Sequence, residues 1–471
     1  LSKLPLVEGI IKYIRENNAM FCMPGHKGGR GFQNTDIGKE LYDNFIKADI
    51  TEVEGVDNLH HPEGIIKEAE NMLRDFYGSK KSYFLVNGST SGNLAMIFSS
   101  FKEGDKVIVE RNCHRSIFNG IIMRKLKPIY IKNKVYEKFN APLSIDEDYL
   151  LKLLDNNLDA KGIIITYPNY YGVCCNLKFI VEEAHKRGIK VLVDSAHGAH
   201  FGVHEELPEN AVNLGGDFVV MSSHKTLPSL TQTAYLHIGK NIDIEKVDFY
   251  VSAFLSTSPS YILMCSMDYG RYYLQDKGTM EYKKLIDLCN LYRNKINNLE
   301  GFHIISIDDL KYNDIDVTRY ILNVGEGLNG YKLYEYLKNN KIQPEMCDGN
   351  NIVLIFSPFN TECEFEHLYR VLIDCNIKDI QDRKFHIIES DIPDIELMPF
   401  EAVEREYKLV NYRQALGKIC SEAIVPYPPG VPVILPGEII DNNTIETIEY
   451  YIGERCTILG IDEYEKIKII Q

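Results

Sequence analysis

The chain has no tryptophan, no Cys-x-x-Cys pair, no excess of basic residues and no apolar run approaching the ~18 residues of a membrane helix. Its 11 cysteines are an odd set scattered from Cys22 to Cys456, and the adjacent Cys174 and Cys175 cannot easily bridge each other. Neither a disulfide framework nor a zinc site follows from such a distribution. With 52 Lys and Arg against 67 Asp and Glu, the net charge is -15. Nucleic acid and anionic membrane surfaces would be repelled, so neither is expected as the main partner, whereas a cationic small molecule would be drawn in. The first residues, LSKLPLVEGIIKYIRENN, follow a short amphipathic helix pattern with no signal-peptide cleavage site, so a cytoplasmic location is expected. No internal repeat or low-complexity tract is present. The missing tryptophan removes little, because 45% hydrophobic, 11% aromatic and 25% charged residues are the composition of a soluble globular protein.

A chain of 471 residues exceeds one ordinary core and suits a large domain with one or two smaller ones. From about 80 to 240, short apolar runs alternate with helix-period segments, the pattern of β/α units around a mainly parallel sheet. Strands are expected at 83–86, 106–109, 128–131, 162–166, 190–193, 217–221 and 234–238, making one seven-stranded, buried sheet. A helix is expected over 177–187, with Gly188 as its C-terminal cap. Beyond about 300 the order becomes strand (320–324), helix (330–339), strand (352–356), a small α+β layer. Residues 376–400 read as a linker into a last segment that holds the proline-rich PYPPGVPVILPGE at 426–438. The division expected is 1–300, an N-terminal segment and large domain; 301–378, a small α+β domain; and 379–471, a C-terminal domain.

The chemistry gathers at strand ends. The strand at 190–193 runs into Asp194, and the strand at 217–221 runs into Ser222, Ser223, His224 and Lys225. Open α/β sheets place their ligands at such C-terminal ends. A lysine amine that can form a Schiff base, with a carboxylate to keep a pyridine nitrogen protonated, is what pyridoxal-5'-phosphate (PLP) requires. A third feature is the turn from Asn87 to Asn93, containing Gly88, Ser89, Thr90, Ser91 and Gly92 ahead of a helix expected to start near Ser91. Its N–H groups, hydroxyls and helix dipole suit a phosphate. The turn lacks the lysine of a P-loop and the spacing GxGxxG, which lowers a nucleotide reading. His114 follows another strand end, where an imidazole could lie flat on the pyridine ring. Taken singly, Asp194 as a loop cap, Lys225 as a solvated lysine, Ser and Thr as helix caps and His114 as a structural histidine are all ordinary. Together they favour a cofactor site.

The ordered stretches FCMPGHKGG, TEVEGVDNLHHPEG, VNGSTSGN, RNCHRSI, VDSAHGAHFG, SSHKT and YPPGVPVILPGE resemble the PLP-dependent ornithine/lysine/arginine decarboxylases of bacteria over nearly the whole chain. The resemblance implies PLP fold type I: an aspartate-aminotransferase-like α/β large domain, a small domain and a C-terminal domain ending over the active site, with sites formed in a homodimer. It makes Lys225 the Schiff-base lysine, Asp194 the partner of the pyridine nitrogen and His114 the residue stacked on the ring. Ser89, Thr90, Ser91 and Ser222 would bind phosphate, with His197 and His224 near the cofactor. Either Lys225 or His224 would return the proton to Cα. The chain begins close to the PGHKGG motif, with no room for the receiver-like domain of the acid-stress members, so rings of dimers are not part of the expectation. The shorter, biosynthetic arginine decarboxylase-like members, and some short lysine decarboxylases, are the closer match.

The function implied is α-decarboxylation of a basic amino acid in polyamine biosynthesis. Arginine to agmatine comes first, and lysine to cadaverine or ornithine to putrescine second. Alternatives are transamination or aldol-type cleavage on the same cofactor, or a catalytically silent regulatory relative. Carboxylates that could meet a cationic side chain are Glu52, Glu54, Asp57, Glu345, Asp348 and Glu438, among which sequence does not choose. His60 with His61, and His197 with His200, lack a third converging ligand, and no metal is expected. The glycine-rich 25–31 segment could hold a phosphate, but is expected as a loop reaching towards the site.

Overall fold

Seven short apolar runs form strands β1 (Lys81–Leu85), β2 (Lys106–Glu110), β3 (Lys127–Ile131), β4 (Gly162–Thr166), β5 (Lys190–Asp194), β6 (Phe218–Met221) and β7 (Ala234–Ile238). Nearly every residue in them is buried, as a sheet covered on both faces requires. They pair in the order β1-β7-β6-β5-β4-β2-β3, parallel except for β7, which runs antiparallel to both neighbours. This is the expected seven-stranded sheet, with bounds moved by a residue or two. Asp217 lies one residue before β6, its carboxylate accepting the Val191 N–H at 2.8 Å and bonding His185 Nε2 at 2.9 Å. The computed structural model describes residues 3–311, 313–382, 392–427, 430–454 and 456–471.

Helices α1 (Pro5–Glu16), α2 (Gly88–Ser100), α3 (Arg115–Met123), α4 (Leu177–Lys186), α5 (Ser223–Thr226) and α6 (Tyr261–Asn297) matter most for the site. The N-terminal pattern is the helix expected, but α1 buries none of its residues. Beyond α4, Gly188 takes the left-handed conformation (φ +70°) and turns the chain into β5. Past the long α6, strands β8 (Phe302–Ile304), β9 (Arg319–Val324), β10 (Met346–Cys347) and β11 (Asn351–Ile355) form an antiparallel sheet in the order β8-β9-β11-β10. The segment before β1 joins neither of these sheets and forms a separate two-stranded one. Ala19–Phe21 pairs in parallel with Ile342–Pro344.

The last segment has its own core, in which Tyr412, Cys420, Ile424, Ile434, Ile448, Ile467 and Ile469 are buried together. It is fixed to the large sheet by a buried ion pair between Arg111, just after β2, and Glu438, with Nη2 and Oε2 2.8 Å apart. Part of the linker expected at 376–400 falls on 383–391, outside the described residues, as do Pro428 and Pro429 of the proline-rich stretch.

One buried carboxyl beside the large sheet is expected to make stability depend on pH. Glu70, 7% exposed, accepts the Phe84 N–H of edge strand β1 at 3.0 Å. Burial pushes it up from 4.5 to about 8, although that hydrogen bond and Lys81 oppose the rise. The fold holds the neutral acid while the unfolded chain ionises near 4.5, so its stabilising contribution is complete below 4.5 and is lost as pH rises towards about 8. Glu70→Gln is therefore expected to raise stability at pH 8 by roughly 1–3 kcal/mol and to change it little at pH 4. Denaturant melts at the two pH values check this, and equal effects at both would contradict it.

Candidate active site

The register of the parallel strands places Asp194 and the start of α5 on one edge. Val220 of β6 lies beside Asp194 of β5, and the chain then turns at Ser222 into the single turn that carries Lys225. Lys225 Nζ lies 2.9 Å from His197 Nε2. Enclosure lowers the lysine to about 8, with Arg319 helping, while the charges of Asp194 and Glu345 act the other way.

Asp194 is 2% exposed and makes no ion pair with any described residue. Its Oδ2 accepts from Asn93 Nδ2 at 2.8 Å and its Oδ1 from the Ala196 N–H at 3.1 Å. Asn93 also donates to Ser116 Oγ at 2.9 Å, so the carboxylate is fixed by two helix starts at once. A buried carboxylate held by neutral donors alone is suited to a cation that arrives with a ligand.

Helix α2 begins at Gly88, three residues before the expected start, because Gly88 at φ +74° completes the turn in one step. Ser89, Thr90 and Ser91 are thus the first turn of the helix, not a loop before it. The Asn87 side chain does not cap them, since its Oδ1 accepts from the Ser256 N–H at 3.1 Å. The first N–H groups remain without a side-chain acceptor, as an anion-binding helix end requires. Ser222 Oγ donates to Ser89 Oγ at 3.0 Å, joining the lysine turn to this end, and Thr90 is exposed. Ser91 Oγ is spent on the Gly88 carbonyl at 2.7 Å, which leaves its backbone N–H as the group it can offer.

His114 caps α3, with its Nδ1 2.8 Å from Ser116 Oγ and its ring open to solvent in the single chain. His224 bonds the Thr233 carbonyl through Nδ1 at 2.8 Å. Burial holds it down to about 4, with Lys225 and His26 adding to the fall, so it is neutral and its proton sits on Nδ1. Amine, buried carboxylate, open imidazole and uncapped helix end converge, and this donor set fits PLP.

The glycine-rich segment reaches the same place. The Gly25 N–H donates to the His224 carbonyl at 2.7 Å, and a Cβ on Gly25 would lie 2.6 Å from the backbone of Thr226 and Leu227. On its other side Met23 N–H donates to Glu345 Oε2 at 2.9 Å and Lys27 Nζ to the Ile355 carbonyl at 2.9 Å. The segment therefore clamps the lysine turn to the second sheet; the charge of Lys27 is spent on carbonyls rather than offered to a phosphate.

Of the six carboxylates considered for a cationic side chain, three are committed elsewhere. Asp57 accepts N–H groups from Asn58, Glu63, Gly64 and Ile66, which outweigh burial and hold it at about 2. Asp348 accepts from Tyr171 OH at 2.6 Å and from Asn350 and Asn351 N–H. Glu438 is the partner of Arg111. Glu52 and Glu54 lie exposed, and Glu345 is the one whose charge acts on Lys225. His60 is turned to Ser252 and Ser256, and His61 to Glu63, so these rings diverge. His200 pairs with Asp316 at 3.2 Å.

Sequence reading passed over Arg319 and Tyr170. Arg319 opens β9 fully buried, its Nη1 donating to the Tyr170 carbonyl at 2.7 Å and its Nη2 to His197 Nδ1 at 3.1 Å. Tyr170 sets its ring edge-on to His197, with centroids 4.9 Å apart, and donates to Glu345 Oε1 at 2.7 Å. An arginine heading the mostly apolar strand RYILNV was the available signal.

The chain is similar to known proteins over most of its length. Residues 4–322 match the model for the Orn/Lys/Arg decarboxylase major domain, and 385–454 match that family's C-terminal domain. An uncharacterized Bacillus subtilis protein, YaaO, is 34% identical over 97% of this chain and 96% of its own. An arginine decarboxylase of Halalkalibacterium halodurans is 33% identical over 94% and 92%. The crystal structure of the Francisella novicida lysine decarboxylase LdcF superposes with a TM-score of 0.78 at 21% identity, covering 99% of this chain and 81% of that one.

Proposed function

This chain belongs to the Orn/Lys/Arg decarboxylase family, and from that premise we propose that it is a PLP-dependent decarboxylase that converts arginine to agmatine and CO2. The observation that carries the reading is the convergence of Lys225, Asp194 and the uncapped start of α2 at one edge of the sheet. Bound there, PLP supplies an electron sink for the pair released when the Cα–carboxylate bond breaks.

The residues divide the remaining work. Lys225 holds the cofactor covalently. Asp194, oriented by Asn93 and the Ala196 N–H, keeps the ring nitrogen protonated. His114 covers a ring face; Ser89, Thr90, Ser222 and the α2 N–H groups, Ser91's among them, bind the phosphate. His224 has no proton to return to Cα, because its one proton lies on Nδ1 against the Thr233 carbonyl. We assign that step to Lys225, which exchanges a proton near pH 8. The working form is a homodimer or an assembly of dimers, in the cytoplasm. The exposed Leu6, Ile10 and Ile14 on α1, and the exposed Glu52 and Glu54, are open to a second subunit. No described helix is long and apolar enough to cross a membrane.

Arginine ranks above lysine because the relative named arginine decarboxylase is 33% identical over most of both chains, whereas the lysine decarboxylase structure is 21% identical. We assign recognition of the side chain to Glu345, each of whose oxygens takes one hydrogen bond and keeps room for another. A guanidinium can face such a carboxylate with two parallel N–H groups, which an ammonium cannot. The discrimination expected is about 1–3 kcal/mol, or roughly tenfold to hundredfold in kcat/KM. Parallel assays with arginine, lysine and ornithine test this. Cadaverine formed faster than agmatine would overturn the arginine assignment alone, and no amine from any of the three would overturn the decarboxylase reading.

A further inference from the structure

The hydrogen bonds around His197 admit one assignment of protons. Arg319 has only donors, so His197 Nδ1, 3.1 Å from its Nη2, must accept. A neutral imidazole that accepts at Nδ1 carries its proton on Nε2, and Nε2 is the atom 2.9 Å from Lys225 Nζ. That N–H can donate only to a lone pair, and an ammonium has none. The hydrogen-bonded state of Lys225 is therefore the free amine. We propose that Arg319 is a positioning residue that sets the proton affinity of Lys225 by fixing the tautomer of His197.

The surroundings support such a relay. His197 is 4% exposed and Arg319 is fully buried, so neither can exchange these partners for water. Burial keeps the His197 ring neutral, aided by the positive charges of Lys225 and Arg319. Asp316, three residues before Arg319, balances the guanidinium; burial would raise it, but His200 and Arg319 hold it down to about 2. The arginine side chain needs its space kept clear, since Gly172 is at φ +90° and a Cβ there would lie 2.9 Å from Arg319 Cδ. The other charges facing Lys225 are Asp194 and Glu345, which favour the ammonium. His114 and His224 also lie within reach of its charge.

The chemistry needs this bias. To join an aldehyde, Nζ uses its lone pair to form a bond to the carbonyl carbon, and the aldehyde oxygen leaves as water. An ammonium cannot begin that step, and an ordinary lysine at 10.5 would be free amine in less than about one molecule in a thousand at pH 7. The relay also ties the lysine to the second sheet, because Arg319 opens β9 while His197 follows β5 and Lys225 follows β6 of the large sheet.

The inference rests on Lys225 being the residue that holds PLP, and its test needs no turnover. Cofactor-free protein is mixed with PLP across pH 6 to 11, and the rate of appearance of the ~420 nm band is recorded. In the wild type the rate should rise to a midpoint near 8. In Arg319→Met the midpoint should move up by about one unit or more, slowing capture at pH 7 roughly tenfold. Arg319→Lys, which returns the charge and a donor, should shift less. In 15N-histidine-labelled wild type, the resonances removed by His197→Gln should show a bare Nδ1 and a protonated Nε2. An Arg319→Met midpoint equal to wild type, or a protonated Nδ1 on His197, overturns the relay. The tautomer and the Arg319→Lys midpoint decide the matter if Arg319→Met does not fold. Absence of any band in the wild type removes the underlying reading instead.

Discussion

Replacing Lys225 by alanine is expected to lower turnover by on the order of 10⁴-fold or more, the largest effect of any single change in this site. The argument is chemical before it is structural. The Lys225 amine can form a Schiff base with an aldehyde, and Nζ is held at 2.9 Å from His197 with its proton affinity lowered to about 8. Lys225→Ala should take up PLP through the Ser89, Thr90 and Ser222 end of α2 but show no ~420 nm band and nothing for borohydride to trap. The fold should survive, because α5 is a single turn whose Ser223 Oγ still donates to Thr233 Oγ1 at 2.7 Å. Lys225→Arg separates charge from covalency: it keeps a cation and cannot form the bond, so it should be as inactive as the alanine protein. Spectra, borohydride trapping and an agmatine assay on both variants make the comparison. Appreciable activity in Lys225→Arg would place the covalent chemistry elsewhere.

The parts of this molecule that were legible in sequence are those set by local pattern. A strand buried on both faces must be a short continuous apolar run, and GIIIT, KVLVD and FVVM have no other economical reading. Asp194 and Lys225 were legible because polar residues at the ends of such runs stand out. What pattern does not carry is partnership over distance. His197 meets Arg319 across 122 positions and Arg111 meets Glu438 across 327, and neither spacing leaves a mark in periodicity or composition. Glu438 therefore looked as available to a substrate as Glu345 until its partner was in view. The start of α2 was misjudged by three residues for a smaller reason. Serine and threonine serve equally in a loop or a first helical turn, and only the positive φ of Gly88 settles which. Likewise, Ala19–Phe21 joins neither of the two larger sheets, and its pairing with Ile342–Pro344 follows from packing that no window of sequence contains.

The second large effect expected is at Asp194, where Asp194→Ala should lower kcat by about 10²-fold or more. Its carboxylate is 2% exposed, so its charge acts with little screening on whatever lies against it. A ring nitrogen that must stay protonated while electrons flow into the ring gains more from that charge in the transition state than in the ground state. The loss should accordingly fall on kcat, with KM for arginine changing by severalfold at most. A structural role alone predicts a different result. Removing the carboxylate leaves the Ala196 N–H unpaired and takes one of two acceptors from Asn93, whose bond to Ser116 Oγ at 2.9 Å persists. Two buried donors are then without partners, the Ala196 N–H and one N–H of Asn93, at a cost of about 1–3 kcal/mol each, enough to lower Tm by several degrees but not to remove the site. Asp194→Asn sharpens the contrast. It keeps the shape and loses the charge, and its amide can satisfy Ala196 through oxygen only by turning an N–H towards Asn93. Both variants should therefore be slow, while Asp194→Glu, which restores the charge on a longer arm, should recover part of the rate. Measuring kcat, KM and Tm for the three proteins at saturating PLP separates the two roles. A near-normal kcat in Asp194→Ala would mean that another carboxylate serves the ring nitrogen, and a rate that tracked Tm rather than charge across the series would reduce Asp194 to a structural residue.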